Sequence, residues 1–459
     1  MRKMRRIAVF ALFGLCSLPA LADTDPAAGR VSVDGAPLPE TGLSDPLSTL
    51  GNLYLSCNWR QANGTPTPDN PKPIRYGYIE LAAGYYQFFL SPNFPAGTRF
   101  RIDGQYPKAR YFSYQLYDGS NTGVGFLPDY QVQPDPGSQS PYTGINTLDT
   151  AIKPGGRYSV HLVYGKAPAT PAANTIYVDS SQFSLGSQAV FIYRIYNAFP
   201  GVAVIDHGGV PMPTVYKETA QGDVPLAQLD QTLVCDAGIG QRNARRVVRA
   251  QVSDWINAQP ERPQPIPAQP VPAPPQFLLR DDPTDVLVNH DNRYIYAQLS
   301  QKPGDLVLMR FKAPSFATGP GAGSDPQLRH WSVCENAWVT VETYSCIEDS
   351  AATLDAGGYS NIVISVPAKR PPNALPAHGF DWLSYGTAQI GTPILRHMLA
   401  SPHFTQSAFN VPSGQGAQAP ALMGEYFPLA TYCANTVFAA HTAAGETPQQ
   451  VFAGCAAGK

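Results

Sequence analysis

The sequence predicts a mainly β protein with two tandem β-sandwich or jelly-roll domains, joined by a short helical segment and a Pro-rich linker. Two observations favour strands over helices. The chain holds 46 Pro and 40 Gly beside 24 Tyr and 20 Phe, and only 14% of its residues are charged. Short aromatic strands separated by many turns have this composition. A third observation, an internal repeat, predicts that the β domain occurs twice.

The repeat centres on an Arg-aromatic-aromatic-Ser element. Arg110 to Ser113 returns as Arg329 to Ser332, with Pro three residues before each Arg. An aromatic strand precedes each copy, and a Gly-containing turn with Tyr and Ser follows each. The flanking segments match in the same order along the chain: residues 85–91 with 294–300, and residues 155–159 with 357–360.

Residues 1–22 have the features of a secretory signal peptide. A basic start is followed by an apolar run from Ile7 to Leu18, too short to span a bilayer, and Ala20-Leu21-Ala22 supplies the small residues at a cleavage site. We therefore expect a periplasmic or secreted protein. The polar, Pro-rich residues 23–50 are expected to form an N-terminal arm.

The charge balance argues against nucleic acid and anionic membranes as partners. Removing the signal peptide leaves 28 Lys and Arg against 34 Asp and Glu, a net charge of −6. No later apolar run reaches the roughly 18 residues that a transmembrane helix needs, so no transmembrane segment is expected. The sequence specifies no oligomeric state.

The cysteines indicate an oxidising compartment. Without Cys16, an even number remains, and no CxxC spacing suggests a zinc ribbon or a redox motif. Sequence proximity favours two of the three disulfides and leaves the third by elimination, although six cysteines allow fifteen connectivities. The expected pairs are Cys334–Cys346, Cys433–Cys455 and Cys57–Cys235.

The first β domain is expected at residues 51–222. β-branched and aromatic residues cluster in short segments that Gly, Pro, Asp and Asn turns separate. The predicted strands are residues 99–102, 111–117, 158–164, 175–178 and 190–196.

In residues 223–275 the strand pattern gives way to predicted helices and a Pro-rich linker. Apolar residues at helical spacing predict helices at 225–234 and 242–258. Eight prolines between Pro260 and Pro275 then predict an extended, semi-rigid spacer.

The second β domain is expected at residues 276–410, followed by a disulfide-tied tail at 411–459. Within the domain, Thr392 resembles an N-cap and Pro393 a first helical residue, which predicts a short helix with Ile394, Leu395, Met398 and Leu399 on its buried face.

The repeated arginines have two interpretations. In the structural one, the larger aromatic fills the domain core while Arg110 and Arg329 pair with carboxylates such as Asp103 or Asp355. In the functional one, the two arginines are anion clamps, because a guanidinium binds a carboxylate through two parallel hydrogen bonds.

Other residues are candidates for chemistry. Asp118, in an Asp-Gly-Ser-Asn turn, and Asp129 offer carboxylates, as does Asp381 beside Trp382. His397, opposite the apolar stripe of its predicted helix, is a candidate base. The histidines show no metal-ligand spacing, and no hydrolase or nucleotide-binding motif occurs, so neither metal nor cofactor is expected.

Three segments resemble exported bacterial β-sandwich proteins of unknown function. They are residues 109–118, residues 192–196 followed by 208–213, and residues 329–334. The resemblance covers most of the mature chain. It implies the fold and export, and it implies no activity.

These observations favour an exported protein that binds a carbohydrate or small organic ligand. The ligand site is expected at Arg329, Trp331 or the Asp381–His397 region, with Arg110 and Trp382 as further binding residues. A secreted hydrolase or lyase on an extracellular polymer is the first alternative, with acids from Asp118, Asp129 and Asp381. A structural envelope protein is the second.

Overall fold

The computed structural model describes residues 60–63, 77–90, 94–118, 122–183, 189–198, 207–225, 271–280, 288–300, 303–318, 323–338 and 342–458. Several predicted features lie outside these residues: the signal peptide, the N-terminal arm, both helices except Pro225, most of the linker, and the cysteines of the expected Cys57–Cys235 pair.

The first repeat, residues 60–225, contributes two five-stranded sheets. The order of sheet A is β1-β2-β8-β4-β5, and that of sheet B is β10-β9-β3-β6-β7. The strands are β1 Arg60–Asn63, β2 Ala83–Leu90, β3 Arg99–Gln105, β4 Ala109–Tyr117, β5 Gly123–Pro128, β6 Arg157–Tyr164, β7 Thr175–Val178, β8 Ala189–Ala198, β9 Thr214–Thr219 and β10 Gly222–Pro225.

The second repeat, residues 278–456, contributes two more sheets. The order of sheet C is β11-β12-β19-β15-β16, with β13 also on β19, and that of sheet D is β18-β17-β14-β20. The strands are β11 Leu278–Arg280, β12 Asn292–Tyr296, β13 Leu299–Ser300, β14 Leu306–Lys312, β15 Leu328–Ala337, β16 Thr343–Glu348, β17 Tyr359–Ser365, β18 Asp381–Ser384, β19 Ile390–Ala400 and β20 Leu429–Cys433.

The two repeats have matching strand orders. Sheet C repeats sheet A strand for strand, so that β4 with Arg110 corresponds to β15 with Arg329. Sheet D repeats four strands of sheet B, including the parallel pair β6–β7, which returns as β17–β18. The duplication predicted from the sequence is therefore confirmed at the level of strand order.

Each repeat has its own apolar core. In the first, Phe112 and Tyr114 of β4 pack with Phe100 of β3 and Tyr158 of β6, which belong to the other sheet. In the second, Trp331 of β15 packs with Met309 of β14 and Ile362 of β17. Both cores form because alternate residues of the central strands face inward.

The helices are short, and the α-helices lie after β19, one before β20 and two after it. The α-helices are α1 Ala419–Met423, α2 Asn435–Ala443 and α3 Pro448–Ala456. The 3-10 helices are Asp129–Gln131, Ser180–Gln182, Pro367–Lys369, Pro376–His378, Ala408–Asn410, Gly416–Gln418 and Gly424–Tyr426. None of the described helices is long and apolar enough to cross a membrane.

Two of the expected disulfides are present. Cys334–Cys346 joins directly paired residues of β15 and β16, and Cys433–Cys455 joins the end of β20 to α3. Because β20 pairs with β14, residues beyond 410 contribute a strand to sheet D of the second repeat.

The helix predicted at Thr392–Leu399 is wrong, because these residues lie in strand β19, with β12 and β15 on its two sides. Pro393 is tolerated in this central strand. Its carbonyl accepts from Ala297 between β12 and β13, so its missing N–H faces a gap in the ladder. The five strands predicted in the first repeat are all present.

Candidate functional site

The repeated arginines lie at the start of the two equivalent central strands, and each reaches into the other repeat. Arg329 Nη1 donates to Asp129 Oδ2 at 3.0 Å, and its Nη2 donates to the carbonyl of Ile145 at 2.9 Å. Arg110 forms an ion pair with Asp349 and donates to the carbonyl of Ala317 at 3.1 Å. Both arginines are buried.

Each arginine pairs with a carboxylate, as the structural interpretation expects. The partners are Asp349 and Asp129, however, and not Asp103 or Asp355. Asp103 pairs with Arg101, and Asp355 pairs with Arg310, each within its own repeat. The aspartates that bind Arg110 and Arg329 occupy equivalent places just after β16 and β5. The paired residues are about 200 positions or more apart in sequence, and only the packing of the two repeats brings them together.

A buried imidazole extends this network. His330 lies between Glu80, whose Oε1 is 2.8 Å from Nε2, and Asp349, whose Oδ2 is 3.0 Å from Nδ1. Burial alone would lower the pKa of His330, but the charges of Glu80 and Asp349 raise it to about 10. His330 is therefore protonated at neutral pH and donates to both carboxylates, and Ser332 Oγ donates to Glu80 at 2.9 Å.

The charges of this network are balanced within the protein. The side chains of Arg329, Asp129, His330 and Glu80 are fully buried, so their ion pairs exclude solvent. Asp129 shows the cost of desolvation. Burial raises its pKa to about 7, and the nearby charge of Arg329 offsets only part of this rise. This arrangement joins the repeats, and an external anion would have to displace a protein carboxylate from Arg110 or Arg329.

The candidate catalytic acids lie in separate environments. Asp118 accepts from the backbone of Thr122 in its turn, while Asp129 belongs to the network between the repeats. Asp381 begins β18 and accepts from the Thr353 N–H at 2.7 Å, and burial raises its pKa. Within the described residues, no hydrogen bond links any two of Asp118, Asp129 and Asp381.

His397 is buried rather than exposed on a helix. It lies in β19 directly opposite Trp331 of β15, and neither ring nitrogen has a hydrogen-bond partner among the described residues. Burial lowers the pKa of His397 to about 3, so the ring is neutral. In the described part of the chain, no three His, Cys, Asp or Glu side chains are arranged to hold a metal ion.

The two tryptophans differ in accessibility. Trp331 is fully buried in the second core, where its indole N–H donates to the Pro314 carbonyl at 3.0 Å. Trp382 is partly exposed, with the Arg370 guanidinium 4.6 Å from its ring centre. Its indole N–H donates to Ser365 Oγ at 3.0 Å, and Ser365 lines a cleft.

This cleft, hereafter the β14–β17 cleft, lies where the start of β14 meets the end of β17 in sheet D. Tyr432 accepts from the Ser300 N–H at 3.0 Å across it, and Lys369 pairs with Asp305 at 2.9 Å at its exposed rim. Its polar lining consists of Ser300, Asp305, Ser365, Lys369, Tyr385 and Tyr432.

A buried carboxyl lies beside the tyrosines of the β14–β17 cleft. Glu335 of β15 is fully buried, and neither of its oxygens has a hydrogen-bond partner among the described residues. Burial raises the pKa of Glu335 well above its ordinary value, and the Thr392 backbone N–H, which lies nearby without meeting hydrogen-bond geometry, offsets this only in part. Burial raises the pKa of Tyr385 and of Tyr432, and the charge of an ionised Glu335 raises both further.

Gly391 makes room for these groups. A Cβ at this position would collide with a Glu335 carboxyl oxygen and lie 2.9 Å from the Tyr385 ring. The sequence prediction missed Glu335, although one signal was available. On β15 it follows Trp331 and Val333 at alternate positions, so a carboxyl stands in the inward-facing register of a buried strand.

Comparison with known proteins assigns no family. No family model matches the chain, and no curated protein matches it. Among solved structures, the chain is similar to an uncharacterized protein from Burkholderia cenocepacia, with 15% identity over 78% of this chain and 88% of that one, at a TM-score of 0.44. A Vibrio parahaemolyticus protein matches with 12% identity over 77% and 89%, at 0.38. TM-scores this low carry no argument about fold or activity.

Proposed function

We propose that this is an exported protein of two tandem β-sandwich domains, with a short helical segment and a Pro-rich linker between them. It binds a carbohydrate or small organic ligand at the β14–β17 cleft of the second repeat. Three sets of observations support the parts of this proposal.

Export is supported by the cysteines together with the basic and apolar start of the chain. The Cys334–Cys346 and Cys433–Cys455 bonds persist in an oxidising compartment and are rare in a reducing cytosol. The sandwich arrangement is supported by the matched sheet pairs, each with an apolar core drawn from both of its sheets.

The ligand site rests on one observation: the unbonded Glu335 carboxyl beside the tyrosines of the β14–β17 cleft. A buried polar group without hydrogen bonds costs stability and is rare in native proteins. Where such a group occurs, it often belongs to a functional site. The Tyr385 and Tyr432 hydroxyls line the cleft and can both donate and accept, as groups that recognise sugar hydroxyls do, while the Glu335 carboxyl lies beside them. Trp382, whose indole N–H donates to Ser365 at the cleft, offers a partly exposed aromatic surface next to it.

The test is a thermal-shift screen of purified protein against mono- and oligosaccharides, small organic acids and amines. A ligand that binds only the folded state raises the melting temperature. With a ligand found, Trp382→Ala and Lys369→Ala should weaken binding about tenfold. Lys312→Ala, on β14 but with its ammonium bound to the Gly357 carbonyl, should not.

Arg329→Ala is unsuited to this test, because it breaks a buried ion pair and would affect folding. If Trp382→Ala and Lys369→Ala bind normally while Asp118→Ala loses binding, the site lies in the first repeat and the proposal fails. Turnover of a polymer fragment by the wild-type protein, lost in Asp381→Asn, would favour the hydrolase or lyase alternative.

A further inference from the structure

The contacts between the repeats are reciprocal. Arg110 on β4 binds Asp349 after β16, and the equivalent Arg329 on β15 binds Asp129 after β5. Each aspartate also accepts from its own central strand, from Phe112 N–H at 3.1 Å in one repeat and from Trp331 N–H at 3.0 Å in the other. In such an interface, each of two equivalent surfaces contacts the other in the same way, as in a two-fold symmetric dimer.

A second reciprocal set lies further along the same strands. Tyr111, which follows Arg110, donates to Asn289 at 3.1 Å, and His330, which follows Arg329, bonds to Glu80. Glu80 and Asn289 are themselves equivalent. The backbone N–H of Glu80 donates to Tyr85 at 3.2 Å, and that of Asn289 donates to Tyr294 at 3.2 Å.

The two halves of this interface have diverged in chemistry. One half contains an ion pair between His330 and Glu80, while in the other the Tyr111 hydroxyl lies 2.5 Å from Asp291 Oδ2 and 3.1 Å from Asn289 Oδ1. Two copies of the first repeat would place Tyr111 against Glu80. Two copies of the second would place Asn289 where Glu80 binds the buried His330, while Asp349 of the same repeat would remain beside the imidazole. Like-with-like pairing therefore loses the buried His330–Glu80 ion pair, which only the pairing of unlike repeats provides.

We propose that the chain is a covalently joined heterotypic dimer: each repeat is the specific binding partner of the other, and their association does not require the linker. The surface on each side comprises the start of its central strand, the aspartate after the following strand, and the segment before β2 or β12. The partner it fits is the other repeat, with complementary buried charge, and not a second copy of itself.

The test uses the full chain with a flexible, protease-cleavable insert between Arg262 and Pro263. After folding and complete cleavage, the two fragments should co-elute at the size of the uncut protein through a hundredfold dilution. Separation of the fragments on cleavage would overturn the proposal, because the linker would then hold the repeats together.

Specificity is tested by converting one half of the interface into the other. In the cleaved protein, Glu80→Asn and His330→Tyr should each increase the dissociation constant at least tenfold, which corresponds to about 1.4 kcal/mol. The double variant recreates the Tyr111–Asn289 contact without a counterpart of Asp291, and it should recover part of that loss. Because it contains both substitutions, its recovery also shows that the single variants fold.

The control is Arg310→Met, which breaks an ion pair with Asp355 inside the second repeat. It should leave the dissociation constant unchanged. Additive losses in the Glu80→Asn and His330→Tyr double variant would contradict the proposed specificity. So would fragment homodimers after unfolding and refolding of the cleaved mixture.

Discussion

Glu335 combines complete burial with a carboxyl that has no hydrogen bond to any residue in the described part of the chain. Because burial raises its pKa, the folded protein must hold a proton on this group, or bury a charge, at pH values where the unfolded chain has lost it. The resulting cost to folding grows as the pH rises above about 4.5, the ordinary pKa of glutamate. Glu335 therefore destabilises the second repeat at neutral pH, which is consistent with a role other than stability.

We predict that Glu335→Gln stabilises the protein at pH 7.5 by about 1–3 kcal/mol, because keeping the buried carboxyl protonated costs about 1.4 kcal/mol per pH unit above its unfolded pKa. At pH 4 the difference should vanish, because the carboxyl is protonated in both folded and unfolded states. Denaturant midpoints at the two pH values measure this, with the exposed Glu425→Gln as control. An equal effect of Glu335→Gln at both pH values would show that its ionisation is irrelevant.

Gly391 provides a second test at the residue scale. Gly391→Ala should destabilise the second repeat by about 1–3 kcal/mol, the range for overpacking a filled site, because the new methyl group collides with Glu335 and Tyr385. Gly123→Ala, also on a strand, meets only Tyr117 at 3.8 Å and should cost little. Melting curves of the two variants compare them directly, and equal losses would contradict the crowding at Gly391.

At the scale of elements, the β15–β16 pair has a covalent bond in addition to its ladder. Cys334 and Cys346 are directly opposite in the register and are separated by 12 residues in sequence. In the chain-entropy model, a disulfide that closes a loop of this size stabilises the fold by about 3 kcal/mol. This bond also adjoins the other repeat, because the Leu81 N–H points to Cys346 Sγ at 3.5 Å.

Replacing both cysteines, as Cys334→Ser with Cys346→Ser, should therefore cost about 2–4 kcal/mol in denaturation experiments. The matched comparison is Cys433→Ser with Cys455→Ser, which frees α3 from β20 and should loosen the C-terminal helices first. Thiol labelling of the unreduced wild-type protein is the prior check: labelling at Cys334 would contradict the bond.

The β19 segment shows why element type was predicted unevenly. Thr392, Pro393 and the apolar residues after them fit a helix start as well as a strand, because the local pattern is the same for a short buried helix and a buried strand. Pairing with β12 and β15 decides the matter, and those partners are about 60 to 100 residues away in sequence. The strands of the first repeat were predicted well because alternating residues and turn clusters are local signals.

At the scale of the whole molecule, the network between the repeats makes stability depend on pH. The folded-state pKa of His330, about 10, is above its unfolded value of 6.5, so its contribution is complete below pH 6.5 and is lost as the pH rises through about 10. The raised pKa of Asp129, about 7, adds a cost that grows between pH 3.8 and 7. The lowered pKa of Glu80 acts in the other direction below pH 4.5, and the lowered pKa of the buried His397, about 3, does so below pH 6.5.

We therefore predict a maximum of thermal stability near pH 5 and a steady fall in melting temperature from pH 6.5 to 10. His330→Gln should lower the melting temperature at pH 5 and flatten the alkaline decline. His403→Gln, at a largely exposed side chain, should leave the profile unchanged. A wild-type melting temperature that rises between pH 6.5 and 9.5 would contradict this assignment.

The sequence by itself determined the mainly β character, the duplication, the equivalence of the Arg110 and Arg329 strands, and two of the disulfides. These follow from local properties: turn residues, strand alternation, an ordered repeat and short cysteine separations. For the same reason, the inward-facing position of Glu335 was readable from β15, although the absence of any hydrogen bond to it was not.

Only the tertiary structure decided which residues meet. Arg110 finds Asp349 and Arg329 finds Asp129 across the interface between the repeats, and the sequence prediction placed their partners within each repeat. The β14–β17 cleft likewise draws its lining from separate strands and connecting segments of the second repeat. Such pairings depend on how sheets stack and how repeats dock. The physical reason is that burial and long-range charge pairing are properties of the packed chain, and no local pattern of residues encodes them.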